Sequence, residues 1–337
     1  MRRSYLLILS GFLLAVLGLA GCSSAPNFWA DAKPTQKKVL VTFPPLYAIT
    51  HAVAGEDAYV LSMLCGTGPH GYDYNAHDLR KVKQADLLIS NGLSLDDTFV
   101  GKILNNHSNR HLVTLNVGEV LEKKHHEVLL HGAHDHDHGD DKKDGKPDPH
   151  AGHQHGEHDP HVWLGPKQTM IMTRIIADKL AEIDPPHAKN YEKRADAFIK
   201  RVKEEVEDYG KKKFKGKHVH MVTMHEAFGY FADAFGLEIV GTIQKLPGTD
   251  PDAAGRARLV KLCKQEKISL IAVEPQYSKA QAESLQETLA KAGIDVPIVT
   301  LDPLETADMK QGTRNPDPEY YVRTMRRNID AIARGLP

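Results

Sequence analysis

Four positions carry side chains suited to holding a transition-metal ion. They are His70 in Gly68-Pro69-His70-Gly71-Tyr72, His161 in Asp159-Pro160-His161-Val162-Trp163, His225 in Met224-His225-Glu226, and Asp302 in Leu301-Asp302-Pro303. Three imidazoles and one carboxylate make a chemically sensible tetrahedral set. Neutral imidazole suits zinc, and a carboxylate oxygen completes four-coordination. A set this rich in imidazole also disfavours the hard ions magnesium and calcium. Each residue has a plainer reading when taken alone. A histidine after a strand is commonly a surface or capping residue, and Asp302 before Pro303 is a turn former. Their matching placement argues for a shared site.

A second concentration of ligands precedes His161. His125, His126, His131, His134, His136, His138, His150, His153, His155 and His158 are half of the chain's 20 histidines, interleaved with Asp, Gly and Lys. Such a run binds zinc, nickel or copper weakly even without a fold to fix its geometry. A collecting or sensing role next to His161 follows from its position.

The elements that must position these residues alternate. Strands are expected at 39–42, 59–64, 87–90 and 111–115, with helices near 44–53, 78–84 and 99–104. From 122 to 159 the pattern stops. That stretch has too little apolar surface to offset chain entropy and is expected to be disordered without metal. Pro166 opens an amphipathic helix carrying Met170, Ile171, Ile175, Ile176, Leu180 and Ile183, broken at Asp184-Pro185-Pro186. A more charged helix follows over 187–212. Alternation then resumes, with strands at 218–223, 238–243, 269–273 and 297–301 and a terminal helix over 320–336. The fold class is α/β: two doubly wound lobes, each with a four-stranded mainly parallel sheet, joined by one long rigid helix. The boundaries read as an N-terminal lobe over 39–165, a linking helix over 166–184 and a C-terminal lobe over 185–337. His70, His225 and Asp302 each follow a predicted strand, where ligands bind in open α/β sheets.

The remaining composition limits the partners. Lys+Arg 43 against Asp+Glu 44 leaves a net charge of -1, and nothing suggests nucleic acid. Arg2 and Arg3 precede an apolar run, Tyr5 to Leu19, too short for a comfortable membrane span. It ends in Leu19-Ala20-Gly21-Cys22. Residues 1–22 therefore read as a lipoprotein signal with Cys22 lipidated, and 23–38 as a tether. Lipid on Cys22 places the chain outside the cytoplasmic membrane, in the periplasm or at the cell surface. Cys65 and Cys263 remain; a disulfide is permitted there, and buried small apolar roles are the plainer reading.

These residues together resemble the metal-specific solute-binding lipoproteins of bacterial ABC transporters, the ZnuA/TroA type, over about 39–336. Pro69-His70-Gly71-Tyr72 with Ala85 to Gly92 resembles the first-ligand region of that family. Asp159 to Leu164 resembles the second, and Val222 to Phe231 the third. Glu274 to Ser278 with Leu301 to Leu304 is similar to the last strand–helix unit and the fourth ligand. The resemblance implies a metal held between two lobes and delivered to a membrane permease by a monomeric carrier. It also implies zinc, because His225 stands where manganese-preferring relatives carry Glu. Manganese stays open as an alternative cargo, since members with three His and one Asp also take it. The fourth ligand is open too, because water or another carboxylate replaces the Asp in some relatives. Glu226 departs from the Asp of many relatives. A metal buffer or adhesin of the same fold is a rival function. So is a zinc hydrolase, which is disfavoured because Gly229 stands where an HExxH helix needs its second His. The chain is therefore not expected to be an enzyme.

Overall fold

The computed structural model describes residues 26–132, 157–244 and 253–336. Cys22 and the histidines at 134, 136, 138, 150, 153 and 155 lie outside the described residues.

Two four-stranded sheets, parallel throughout, form the frame. The first contains β1 (Lys37–Val41), β2 (Ala58–Ser62), β3 (Leu87–Ser90) and β4 (Val113–Asn116) in the order β2-β1-β3-β4. The second contains β5 (His220–Thr223), β6 (Glu238–Thr242), β7 (Leu270–Val273) and β8 (Ile298–Thr300) in the order β6-β5-β7-β8. Strands covered by helices on both faces need unbroken apolar runs. Leu87-Leu88-Ile89-Ser90 and Leu270-Ile271-Ala272-Val273 supply them, and all eight residues are buried. In each sheet the chain reverses direction of travel between the first strand and the third. That leaves a crevice at their carboxyl ends.

The helices are α1 (Pro44–Ala54), α2 (Ala76–Lys83), α3 (Asp97–Asn106), α4 (Val117–Lys124), α5 (Pro166–Ile183), α6 (Ala188–Arg201), α7 (Tyr209–Phe214), α8 (Gly229–Phe235), α9 (Ala253–Gln265), α10 (Ala280–Ala290) and α11 (Tyr320–Gly335). α5 starts on Pro166 and buries Met172, Ile176 and Leu180 completely. Burying each such side chain contributes about 1.5–3 kcal/mol, which holds this helix firmly against α1, α4 and α6. One hydrophobic core runs from the first sheet through α5 to α8 and α11, and a smaller cluster underlies α9 and α10.

The charged helix expected over 187–212 is three pieces. α6 and α7 flank a π-helical stretch, Val202–Asp208. The region expected to be disordered from 122 is ordered where it is described. α4 extends to Lys124, a 3-10 turn spans His126–Val128, and His131 pairs with His158 in an antiparallel bridge. Asn116 starts α4 by accepting a hydrogen bond from Glu119 N, a capping signal the apolar pattern does not carry. Late residues also return to the first sheet. Asn315 caps its edge strand, accepting from Ser62 N at 3.0 Å and donating to Val60 O at 3.1 Å. Such cover protects an otherwise open edge.

Candidate metal centre

His70 sits in the loop after β2. Gly71 adopts φ 64°, a left-handed turn that favours glycine. The following Tyr72 is fixed by its hydroxyl, which donates to Asp78 Oδ2 at 2.6 Å. His161 sits on the turn before α5. Its backbone N donates to Asp159 Oδ1 at 2.9 Å, and its ring packs 5.3 Å from that of Trp163. His225 follows β5 directly, and Thr223 Oγ1 donates to its carbonyl at 2.9 Å.

The fourth converging residue is Glu305, not Asp302. Asp302 Oδ1 accepts from Leu304 N at 2.8 Å, and its backbone is bound in both directions by the Asn328 amide. The aspartate carboxylate therefore builds the turn after β8. That turn forces Leu304 to φ 62°, a strain of about 1–3 kcal/mol for a non-glycine residue. Its effect is to swing the longer side chain at 305 into the crevice. The Glu305 side chain is 2% exposed, and Gly68 allows its close approach, because a Cβ there would lie 3.3 Å from Glu305 Oε2. The sequence signal was a second carboxylate three residues past Asp302, on the far side of a turn too tight to read from residue types.

Among the described residues, His70, His161, His225 and Glu305 form the group whose ligand atoms all lie within 4.8 Å of one another. The spacings are narrower than that limit. His70 Nε2 is 3.3 Å from His161 Nε2, and Glu305 Oε1 is 3.2, 3.5 and 3.3 Å from the Nε2 atoms of His70, His161 and His225. A regular tetrahedron with zinc–ligand bonds of about 2.0–2.1 Å has edges of about 3.3–3.4 Å. The four measured separations fit those edges. His225 Nε2 is also fully buried facing Glu305 Oε1, an arrangement a metal ion between them would satisfy.

Carboxylates hold the outer nitrogens. His161 Nδ1 lies 2.8 Å from Asp159 Oδ1, and His225 Nδ1 lies 2.7 Å from Glu274 Oε1. Each pairing fixes the ring, commits its Nδ1–H to the carboxylate and leaves Nε2 for a metal. Sequence reasoning missed the Glu274 role, because its partner is 49 residues away and only the sheet order joins them.

Electrostatics match the geometry. Burial opposes charge on His161, but Asp159 and Glu305 overcome it and raise the ring to about 8. Burial likewise opposes His225, and Glu274 with Glu305 raises it to about 10. Burial lowers His70, against the raising effect of Glu305. Burial would raise Glu305, yet the three imidazoles hold it well below the usual carboxylate range. An anionic Glu305 among nitrogen donors offsets half the charge of a divalent cation.

The described part of the histidine-rich segment forms a separate cluster. His158, 4% exposed, packs 5.1 Å from the His126 ring and 5.7 Å from the His131 ring, and its Nδ1 has no hydrogen-bond partner. His125 caps the end of α4, its backbone N donating to Leu121 O. Glu226 lines a cavity of about 320 Å³ with His131, Asp159 and His161 rather than joining the ligand group. Cys65 and Cys263 are both free thiols. No described helix is long and apolar enough to cross a membrane.

Comparison with known proteins gives a consistent picture. The zinc-binding lipoprotein AdcA of Streptococcus pneumoniae is 31% identical over 98% of this chain, and the chain spans 60% of that relative's length. The high-affinity zinc uptake system protein ZnuA of Bacillus subtilis is 26% identical over 99% of this chain and 98% of its own length. The crystal structure of Zn(II)-bound AdcA from Streptococcus pneumoniae is 28% identical and superposes with a TM-score of 0.65, covering 89% of this chain and 58% of that one. With residues 39–335 matched to its description, the chain belongs to the family of ZnuA, zinc-uptake complex component A, periplasmic.

Proposed function

We propose that this chain is an extracytoplasmic carrier that captures one zinc ion between its two lobes and delivers it to an ABC permease. The observation that carries the reading is the set of four separations, 3.2 to 3.5 Å, among three imidazole nitrogens and one carboxylate oxygen. A small, four-coordinate cation that takes nitrogen ligands, as zinc does, fits those edges with all four residues as ligands. His70, His161, His225 and Glu305 are the ligands in this reading, with Asp159 and Glu274 orienting two of them. Zinc is cargo here, not a catalyst. Four protein ligands leave no position for an activated water, which argues against an enzyme.

The accessory features follow the same reading. The His126, His131 and His158 cluster acts as a weak collecting surface beside the cavity that Asp159 and His161 line, and the histidines of 133–156 add further weak ligands by composition. Lipid on Cys22 anchors the chain at the membrane, and it works as a monomer.

X-ray absorption on the zinc-loaded chain tests the site. Three imidazoles and one oxygen at about 2.0–2.1 Å are expected. A six-coordinate oxygen-rich shell would overturn the reading. So would a shell unchanged by Glu305→Ala.

A further inference from the structure

We infer that Tyr230 and Asn91 are positioning residues for His161, holding its turn from opposite lobes so that zinc retention depends on both lobes at once. This rests on the four-ligand reading above. His161 differs from the other three residues of the site. His70 follows β2, His225 follows β5 and Glu305 follows β8, so each is carried by a strand end. His161 lies on a connecting turn and belongs to neither sheet.

Two consecutive carbonyls of that turn are bound by side chains from different lobes. Tyr230, on α8 of the second lobe, donates its hydroxyl to Asp159 O at 2.9 Å. The Tyr230 hydroxyl oxygen in turn accepts from Leu130 N at 3.1 Å, at the base of the histidine-rich segment. Asn91, at the carboxyl end of β3 in the first lobe, donates Nδ2 to Pro160 O at 3.0 Å. Both side chains are completely buried, so water does not compete for either bond.

Asn91 is itself rigidly held. Its backbone N and that of Gly92 donate to the Asp96 carboxylate, each at 2.8 Å, and Thr42 Oγ1 donates to the same group at 2.7 Å. Its carbonyl accepts from Gly118 N at 2.7 Å, an approach that a Cβ at 118 would block. A third tie enters from the Glu305 turn, where Trp163 Nε1 donates to Pro303 O at 2.8 Å. Moving one lobe against the other must break the Asn91 or the Tyr230 bond or drag His161 with it. Groups beyond a metal's ligands that orient them typically contribute 10–100-fold in affinity.

The test compares zinc release from the full chain, followed by chelator capture, with thermal midpoints of the zinc-loaded and zinc-free forms. Tyr230→Phe removes one hydroxyl and keeps the ring. Asn91→Asp keeps the shape and removes the donor. Tyr191→Phe, which deletes a buried hydroxyl bonded to Asp184 away from the site, is the control. Both site variants are expected to release zinc about 10–100-fold faster at unchanged stoichiometry, with a narrower gap between loaded and zinc-free midpoints. The control is expected to lower both midpoints together and leave release unchanged. If Asn91→Asp does not fold, Tyr230→Phe decides alone. Tight zinc binding with release in Tyr230→Phe equal to wild type would overturn the positioning role only. A wild-type chain with no tight zinc would overturn the four-ligand reading with it.

Discussion

The two sheets share one strand order and use the same crevice differently. In the second lobe the crevice between β5 and β7 carries chemistry: His225 follows β5, Glu274 follows β7, and they meet at 2.7 Å. In the first lobe the equivalent crevice between β1 and β3 carries Thr42, Asn91 and Asp96, joined by buried hydrogen bonds and offering no ligand to the metal group. The first lobe contributes His70 to the cluster from the loop after β2 instead. A shared topology thus fixes where a site can form, while the residues at the strand ends decide whether that place binds or braces. Asp96 shows the bracing character. Its burial raises it to about 6, despite three hydrogen-bond donors.

The largest effect that tests this contrast is loss of a binding residue from the second lobe. His225→Ala is expected to weaken zinc by about 10²–10³-fold, a quarter share of binding free energies on the order of 10–16 kcal/mol. Competition calorimetry measures it. A loss below about tenfold would mean that the second crevice also only braces.

Next comes the pair after β8. Glu305→Gln is expected to weaken zinc by about 10²-fold, as an anionic ligand becomes neutral. Asp302→Ala is expected to leave affinity within a few-fold. It should lower stability by about 1 kcal/mol through the lost Leu304 hydrogen bond. The reverse ranking in the two assays would restore Asp302 as the ligand. A smaller effect is expected from Glu274→Gln, about 10–100-fold in affinity at unchanged stoichiometry, because the imidazole remains but loses its orienting charge.

Acid dependence separates binding from folding. His161 and His225 are raised to about 8 and about 10, so at pH 7 the zinc-free site carries both protons and zinc must displace them. Affinity should therefore climb with pH across about 7 to 10. Calorimetry in buffers of different ionisation enthalpy should show about two protons released at pH 7. The stability of the zinc-free form should move oppositely. A raised histidine contributes stability that is fully present below about 6.5 and lost as pH rises through 8 and then 10. Denaturant midpoints that rise over this window in the zinc-free form would contradict the assignment.

Much of this was legible before the fold. The strand–helix alternation required two parallel sheets, and the residue types at 70, 161 and 225 marked three places where ligands could gather. What was not legible is instructive. Asp302 and Glu305 are both carboxylates beside one turn, and only the left-handed Leu304 decides which of them points inward. Glu274 and Asn91 act across gaps of 49 and 69 residues, distances that strand order closes and local pattern does not. The histidine-rich segment reads as featureless by composition, yet its described base is pinned by Leu130, His131, Glu157 and Asp159 through backbone pairing.

The most direct measurement is zinc stoichiometry and affinity by chelator competition, on the wild-type chain, on a chain lacking residues 133–156, and on Glu305→Gln. One tight ion is expected to survive the deletion and to be weakened about 10²-fold by Glu305→Gln. Tight binding that vanishes with residues 133–156 and ignores Glu305→Gln would contradict that expectation. The histidine-rich segment would then be the binding site, and the cluster between the lobes would not.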